Sequence, residues 1–288
     1  MGSAVRISPS LPIKEIMNNL KMFCLSMNPD HLHLIQKLNY IPVGLGEAHF
    51  GDEWMQDKKG NNIANKNQHY GEYTFHYWLW KNYLDKINSD WVGFCQYRKF
   101  FLQKQIDQKN IPFNMLEQNV IRAIPLELDT YDCILGEKFS VNKYRFKFFK
   151  KNFIKIALSP SVIFLKKKRT IKFHFDVFHG EGNLDLAIDL LEKENRDAFR
   201  DFVNFKTSFN PHNMFICKKN LLKDYYESVL PWLKKCENIF GFSNLKGYGK
   251  KRIYGFLAER YLSYWFQKNV RVIEYPIFFK DITDYKDF

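Results

Sequence analysis

Residues 70 to 101 constrain the fold of this chain more than any other stretch. They read Y-G-E-Y-T-F-H-Y-W-L-W-K-N, a short polar connection, then W-V-G-F-C-Q-Y-R-K-F-F. The first half has the make-up of an aromatic-dense helix, predicted over 68–83. The second is a continuous apolar run, 91–95, of the kind found in strands buried on both faces. It stops at a polar cluster, Gln96-Tyr97-Arg98-Lys99. In open α/β sheets, ligands bind beyond the carboxyl ends of the strands. An Arg-Lys pair there points to an anionic ligand, because the planar guanidinium fork matches phosphate oxygens in pairs.

Other segments fit an α/β chain. Strands are expected at 21–25, 40–44, 131–135, 213–217 and 270–274, and helices at 184–191, 221–236 and 252–267, the last strongly amphipathic. Asp30 is placed to cap a short helix carrying Leu32, Leu34, Ile35 and Leu38. A long loop, 47–67, rich in Gly, Asn and Asp, precedes the aromatic helix, and loops of that length are usually functional. At 288 residues the chain is long enough for one large domain or two small ones. The order of elements, βαβ-like early and mixed later with no internal repeat, suits one α/β domain with a mixed sheet over 21–288, after a polar lead-in over 1–20.

With 45% hydrophobic and 17% aromatic residues, a packed core is ample and disorder is excluded. A net charge of +13 calls for an anionic partner: nucleic acid, an anionic membrane or a phosphate-bearing substrate. The charge concentrates in 139–175, which has no acidic residue and interleaves Lys143, Arg145, Lys147, Lys150, Lys151 and Lys166–Arg169 with Tyr144, Phe146, Phe148, Phe149 and Phe153. That is the composition of an interfacial membrane segment; the structural alternative is a solvated basic helix and loop. The five cysteines are scattered with no C-x-x-C pair, and Cys24, Cys95, Cys133 and Cys217 lie in apolar runs, as small buried hydrophobes of a reducing compartment do. No run is long enough to span a bilayer and there is no secretory signal. The expectation is a cytoplasmic protein, at most peripheral to the membrane.

The matching blocks are Gly60, Asn62-Ile63-Ala64-Asn65-Lys66-Asn67, Tyr70-Gly71-Glu72-Tyr73-Thr74, Tyr77-Trp78-Leu79-Trp80-Lys81-Asn82, 93–101, Asn213-Met214-Phe215-Ile216 and Gly255-Phe256-Leu257-Ala258-Glu259-Arg260. In these the chain resembles DUF4422, a bacterial family of capsule and exopolysaccharide glycosyltransferases, from about residue 22 to 276. Two positions depart: Gln96 stands where the family pattern usually has His, and Lys99 where it usually has a second Arg. The resemblance implies a GT-A-like nucleotide-sugar fold with a mixed central sheet and a basic helical insertion.

Such an enzyme must stabilise a leaving nucleoside diphosphate. Many do so with a D-x-D pair and a divalent cation, but this sequence has no D-x-D. Fixed cations are therefore expected to replace a metal, Arg98 first, with Lys99 or Lys66 beside it; Mn²⁺ or Mg²⁺ stays an alternative. A structural ion pair, Arg98 with Glu72 for example, is the plain reading. Asn62, Asn65 and Asn67 are suited to reading a uracil edge or sugar hydroxyls, or simply form a turn capping the next helix. Glu72, Thr74, Trp78, Tyr97 and Asn213 complete the expected donor set, Trp78 by stacking. In the aromatic helix, Tyr73, Tyr77, Trp80 and Leu84 form the expected core stripe.

An inverting transfer needs a general base near the acceptor hydroxyl. Glu259, in the family's Glu position on the last long helix, is the first choice, with an ion pair to Arg252 or Arg260 as its structural alternative. His212 and His179 follow, the latter after a strand-like F-D-V-F run. Arg252, Tyr254 and His179 are expected at the acceptor. No G-x-S-x-G, P-loop, H-E-x-x-H or G-x-G-x-x-G motif is present. The reading is a hexosyltransferase using a nucleotide sugar, UDP-linked galactopyranose or galactofuranose, to extend a lipid-linked oligosaccharide at an anionic membrane. Nucleic-acid binding, suggested by charge alone, lacks any motif; an inactive scaffold, prompted by Gln96, is the third reading.

Overall fold

The structure, a computed structural model, describes residues 20–143 and 168–285. The lead-in and the basic-aromatic residues 144–167 lie outside them, so the expected membrane segment is seen only at its two flanks.

A nine-stranded mixed sheet forms the centre. Its spine is β1 (Leu20–Ser26), flanked in parallel by β2 (Ile41–Gly44) and β4 (Trp91–Gln96); the short β3 (Met55–Gln56) extends the β2 edge. On the other side β4 pairs antiparallel with β9 (Phe215–Lys218), which pairs antiparallel with β6 (Cys133–Gly136), which pairs parallel with β10 (Val272–Tyr275). Strand β5 (Lys99–Phe101) folds back from β4 and carries β11 (Ile277–Phe279). Away from the sheet, β7 (Phe139–Ser140) and β8 (Ser208–Phe209) make a two-stranded ribbon.

Side chains alternate across a strand, so each apolar run feeds two cores. Phe23 and Leu25 of β1, Val92 and Phe94 of β4, and Phe215 and Cys217 of β9 point to one face. Met22 and Cys24, Trp91 and Cys95, and Ile216 point to the other. The second face is covered by α1 (Leu32–Lys37) and α4 (Phe113–Asn119). The first is covered by the aromatic helix α3 (Tyr73–Asn82), which follows the short α2 (Asn67–Tyr70), together with α8 (Lys219–Phe240) and α10 (Ile253–Asn269). Helices α5 (Ile171–His179), α6 (Asn183–Asp189) and α7 (Lys193–Phe205) pack beyond these, and α9 (Tyr248–Lys251) leads into α10. All five cysteines are buried thiols.

Four expectations change. The F-D-V-F run is helical, within α5, because Thr170 caps that helix by accepting the Phe173 N–H. Helix α10 is not amphipathic in use: nearly its whole circumference is buried, since α2, α5, α7 and α8 surround it. In α3 the fully buried residues are Tyr73, Thr74, Phe75, His76 and Leu79, while Tyr77 and Trp80 are half-buried, because the helix is pressed between the sheet and α8 rather than laid on one surface. His76 sits deep in that contact, bonded through Nδ1 to the Tyr226 hydroxyl at 2.9 Å. The loop 47–67 is not structureless but holds β3 and a single 3₁₀ turn, Ala64–Lys66.

Candidate active site

The β4–β5 hairpin turns on two residues, Tyr97 and Arg98. Its tip is pinned by Tyr97 N–H donating to Leu25 O (3.1 Å) and Lys280 N–H donating to Arg98 O (3.2 Å). Along the carboxyl ends of β1 and β4 runs a cleft of three adjoining hollows, each walled in part by Arg252. The wide end, about 700 Å³, is lined by Glu47, Lys58, Asn62, Asn65 and Asn67. A constricted neck of about 60 Å³ follows, with Ser26, Tyr97 and Arg98 on it and Glu72 and Gln96 at its inner side. The inner end, about 200 Å³, is lined by Lys99, His212, Asn213, Tyr248, Phe256 and Glu259.

Arg252 is held against the break between α2 and α3. Gly71 sits there at φ +58°, and a side chain at that position would meet the Arg252 guanidinium. Only glycine combines that backbone with that space. The guanidinium faces Glu72, which opens α3, at 3.5 Å. Glu72 also accepts from Gln96 Nε2 at 2.7 Å, and the same amide donates to His212 O at 3.0 Å. Gln96 Oε1 accepts from Lys99 Nζ at 2.9 Å. An amide serves this position well, because it donates to two oxygens and accepts from an ammonium at once. Burial lowers the Lys99 pKa, while the carboxylates of Glu72 and Glu259 oppose that shift.

At the inner end the backbone is strained. His212 and Asn213 are both left-handed, at φ +82° and +54°, a conformation that costs a non-glycine residue about 1–3 kcal/mol. Three bonds hold it: His212 N–H donates to Glu259 Oε1 (2.6 Å), Gln96 donates to His212 O, and Asn213 Nδ2 donates to Gly255 O (3.2 Å). Burial, then the charges of Lys99 and Arg260, push the His212 imidazole down to about 3, so it is neutral at physiological pH. The other Glu259 oxygen is ion-paired with Arg260, a fully buried arginine whose guanidinium also reaches His174 Nδ1 (3.2 Å) and His179 Nε2 (3.5 Å). Each carboxylate oxygen of Glu259 thus accepts one bond and keeps a second lone pair, and the side chain lines the cleft.

Most of the residues expected from sequence line this cleft. Arg98 does, exposed over half its side chain, with its guanidinium over the Tyr97 ring (4.5 Å) and 3.8 Å from Asp281 rather than near Glu72. Five do not. Lys66 pairs with Glu237 at 2.8 Å; burial would raise that carboxyl, but bonds from Lys234, Lys66 and Tyr70 hold it below its ordinary value. Thr74 is buried, accepting from Asn67 Nδ2 (3.2 Å) and donating to Gly71 O. Trp78 stacks between Phe75 and Tyr83 and donates to Lys59 O. His179 is buried, its Nδ1 bonded to Gly249 O, and burial with the neighbouring Arg260 charge drives its pKa to about 2. Tyr254 is buried against Tyr70, its hydroxyl on Gly241 O. Each satisfies an internal partner that sequence does not reveal.

Sequence reasoning passed over Met27, Glu47, Lys58, Tyr248 and Phe256, all on the cleft wall. For Met27, just past β1, and for Glu47 and Lys58, inside the long loop, position was the available signal; Tyr248 and Phe256 lie on helices and offered none. Among the described residues, no three His, Cys, Asp or Glu side chains converge to hold a metal ion, and the inner carboxylates Glu72 and Glu259 each already face an arginine.

The same architecture occurs in the solved apo structure of WbbM, a bifunctional glycosyltransferase, with a TM-score of 0.62 over 91% of this chain at 20% sequence identity. This chain spans 45% of the length of that one. A mixed sheet with a cleft along its parallel strand ends, matched to that structure, is a GT-A-like fold. Residues 25–270 match the model of DUF4422, described as a domain of unknown function, and the chain belongs to that family. No curated protein matches the sequence.

Proposed function

We propose that the protein is a glycosyltransferase that moves a hexose from a nucleotide sugar, UDP-linked galactopyranose or galactofuranose, to a lipid-linked glycan in capsule or related surface-polysaccharide synthesis. The observation that carries the reading is the single cleft in which Arg252 joins a roomy, amide-rich end to a carboxylate end across a neck bearing Arg98. A volume of about 700 Å³ suits a nucleotide, since ligand pockets run ~300–1,000 Å³. The diphosphate then lies at the neck, where Arg98, Arg252 and Lys99 offset the charge that develops on the leaving group. Glu259 accepts the acceptor hydroxyl's proton as that oxygen attacks the anomeric carbon from the face opposite the departing diphosphate, which inverts the centre. His212, neutral and fixed beside it, orients the hydroxyl. The work is done at the inner face of the plasma membrane, which the basic-aromatic composition of 139–175 suits; no helix among the described residues is long and apolar enough to cross a membrane.

Thermal-shift measurements with UDP, GDP, CDP, CMP and ADP, each with Mn²⁺ and with EDTA, test this. UDP alone should stabilise, and equally in EDTA. Strict dependence on Mn²⁺ would remove the cations from the metal's task, and no response to any nucleotide would remove the donor site.

A further inference from the structure

The inner end of the cleft has a feature that donor chemistry does not use. Two large rings stand mostly in solvent at its border: Tyr248, 72% exposed, on α9, and Phe279, 59% exposed, on β11. They come from chain segments distant in sequence. Tyr248 lines the hollow itself and is braced at its side by Phe256 (6.0 Å, edge contact) and by the Arg252 guanidinium (5.8 Å). Phe279 stands edge-on to the His212 ring at 5.2 Å. The hollow that Tyr248 lines, and whose His212 Phe279 touches, also carries groups that bond hydroxyls: Glu259, His212 and Lys99.

We propose that Tyr248 and Phe279 form an aromatic seat for the terminal sugar ring of the acceptor. The inference rests on the transferase reading above. Sugar rings present apolar C–H faces to aromatic side chains, and their hydroxyls take direction from polar groups alongside. Exposed rings around a carboxylate, a neutral imidazole and an ammonium supply both kinds of contact. The volume, about 200 Å³, is below that of a nucleotide pocket and suits a single ring. The seat also puts an acceptor hydroxyl beside the Glu259 carboxylate, and it replaces the acceptor role expected of His179 and Tyr254, which the core absorbs.

The probes are methyl glycosides of galactose, glucose and N-acetylglucosamine. Saturation-transfer NMR in the presence of UDP would follow them on the full chain, on Tyr248→Ala, on Phe279→Ala and on Tyr248→Phe, with the UDP thermal shift recorded for each. The expected result is binding of at least one glycoside to the unaltered protein. Its affinity should fall five-fold or more in each alanine variant, survive in Tyr248→Phe, and leave the UDP shift unchanged throughout. Glycoside binding that persists in both alanine variants overturns the seat. So does a protein that responds to UDP but takes up no glycoside, and that outcome leaves the donor reading standing. A protein that binds glycosides through Tyr248 but ignores every nucleotide upholds the seat and removes the transferase reading instead.

Discussion

The two ends of the cleft are built in opposite ways. At the inner end, Glu72, Gln96, Lys99, His212 and Glu259 are tied to one another or to arginine, and the strained backbone beside it, at His212 and Asn213, is held by three bonds. At the wide end, Glu47, Lys58, Asn62 and Asn65 ride on the 47–67 loop, and Asn62 bonds only to its own turn. Groups that act on a developing charge gain most when nothing must reorganise during reaction. Groups that only recognise a ligand can afford a loop. On the proposed reading, the difference puts chemistry at the inner end and recognition at the wide one.

The largest effect should come from Glu259. Glu259→Gln keeps an acceptor for the His212 N–H but removes the base, and turnover should fall ~10²–10⁴-fold. It also leaves Arg260 buried without its counter-ion, which costs ~3–5 kcal/mol. A double variant, Glu259→Gln with Arg260→Met, separates the two consequences: the melting temperature should recover while turnover does not. Recovery of turnover in the double variant would make Glu259 a purely structural partner and erase the contrast between the ends.

Next in size is Arg252, the residue common to all three hollows. Arg252→Ala should lower kcat/KM by ~10²-fold, as loss of one preorganised charge donor does. Arg98→Ala, at the exposed neck, should cost about ten-fold, and Asn62→Ala only a few-fold, confined to the donor KM. The ordering is the test. A greater loss at Asn62 than at Arg252, measured by steady-state kinetics on UDP-sugar, would place the decisive contacts at the wide end.

Much of this fold was legible because strand periodicity is a local property. The runs at β1, β4 and β9 announce themselves, and their alternation assigns Phe23 and Met22 to separate cores without further information. The hairpin Gln96–Lys99 was legible as a site for the same reason: a polar cluster interrupting a buried strand. What local pattern does not carry is which partner a polar side chain finds across the fold. Lys66 and Arg98 look alike in sequence, each a cation in a polar stretch. Glu237, 171 residues away along the chain, claims the first, whereas Arg98 lies over the neighbouring Tyr97 ring and faces Asp281 at 3.8 Å. Tyr248 and Phe279 were invisible for a related reason: each matters through a neighbour on another element.

The smallest effect concerns Asp57, just after β3 and next in sequence to Lys58 of the wide end. It is 1% exposed and neither carboxylate oxygen has a hydrogen-bond partner; the nearby Thr74 hydroxyl is turned to Gly71 O. Burial raises its pKa, with Thr74 and Lys58 pulling the other way. A carboxyl whose folded pKa is raised favours the fold below its unfolded pKa, and that contribution is lost as pH rises through the folded value. Above its folded pKa the ionised Asp57 is therefore a burden, and Asp57→Asn should stabilise by about 1–2 kcal/mol there, the scale of an unmet buried polar group, or roughly 2–3 °C for a chain of this length. The gain should be greatest above the folded pKa and vanish only well below the ordinary Asp value of about 3.9, where Asp57 is protonated in both states. A scan of melting temperature against pH for the two proteins decides it. Stabilisation with the UDP response intact keeps the wide end a recognition surface. Loss of the UDP response in Asp57→Asn would show that a buried charge shapes that end, and the two ends would then differ in exposure but not in design.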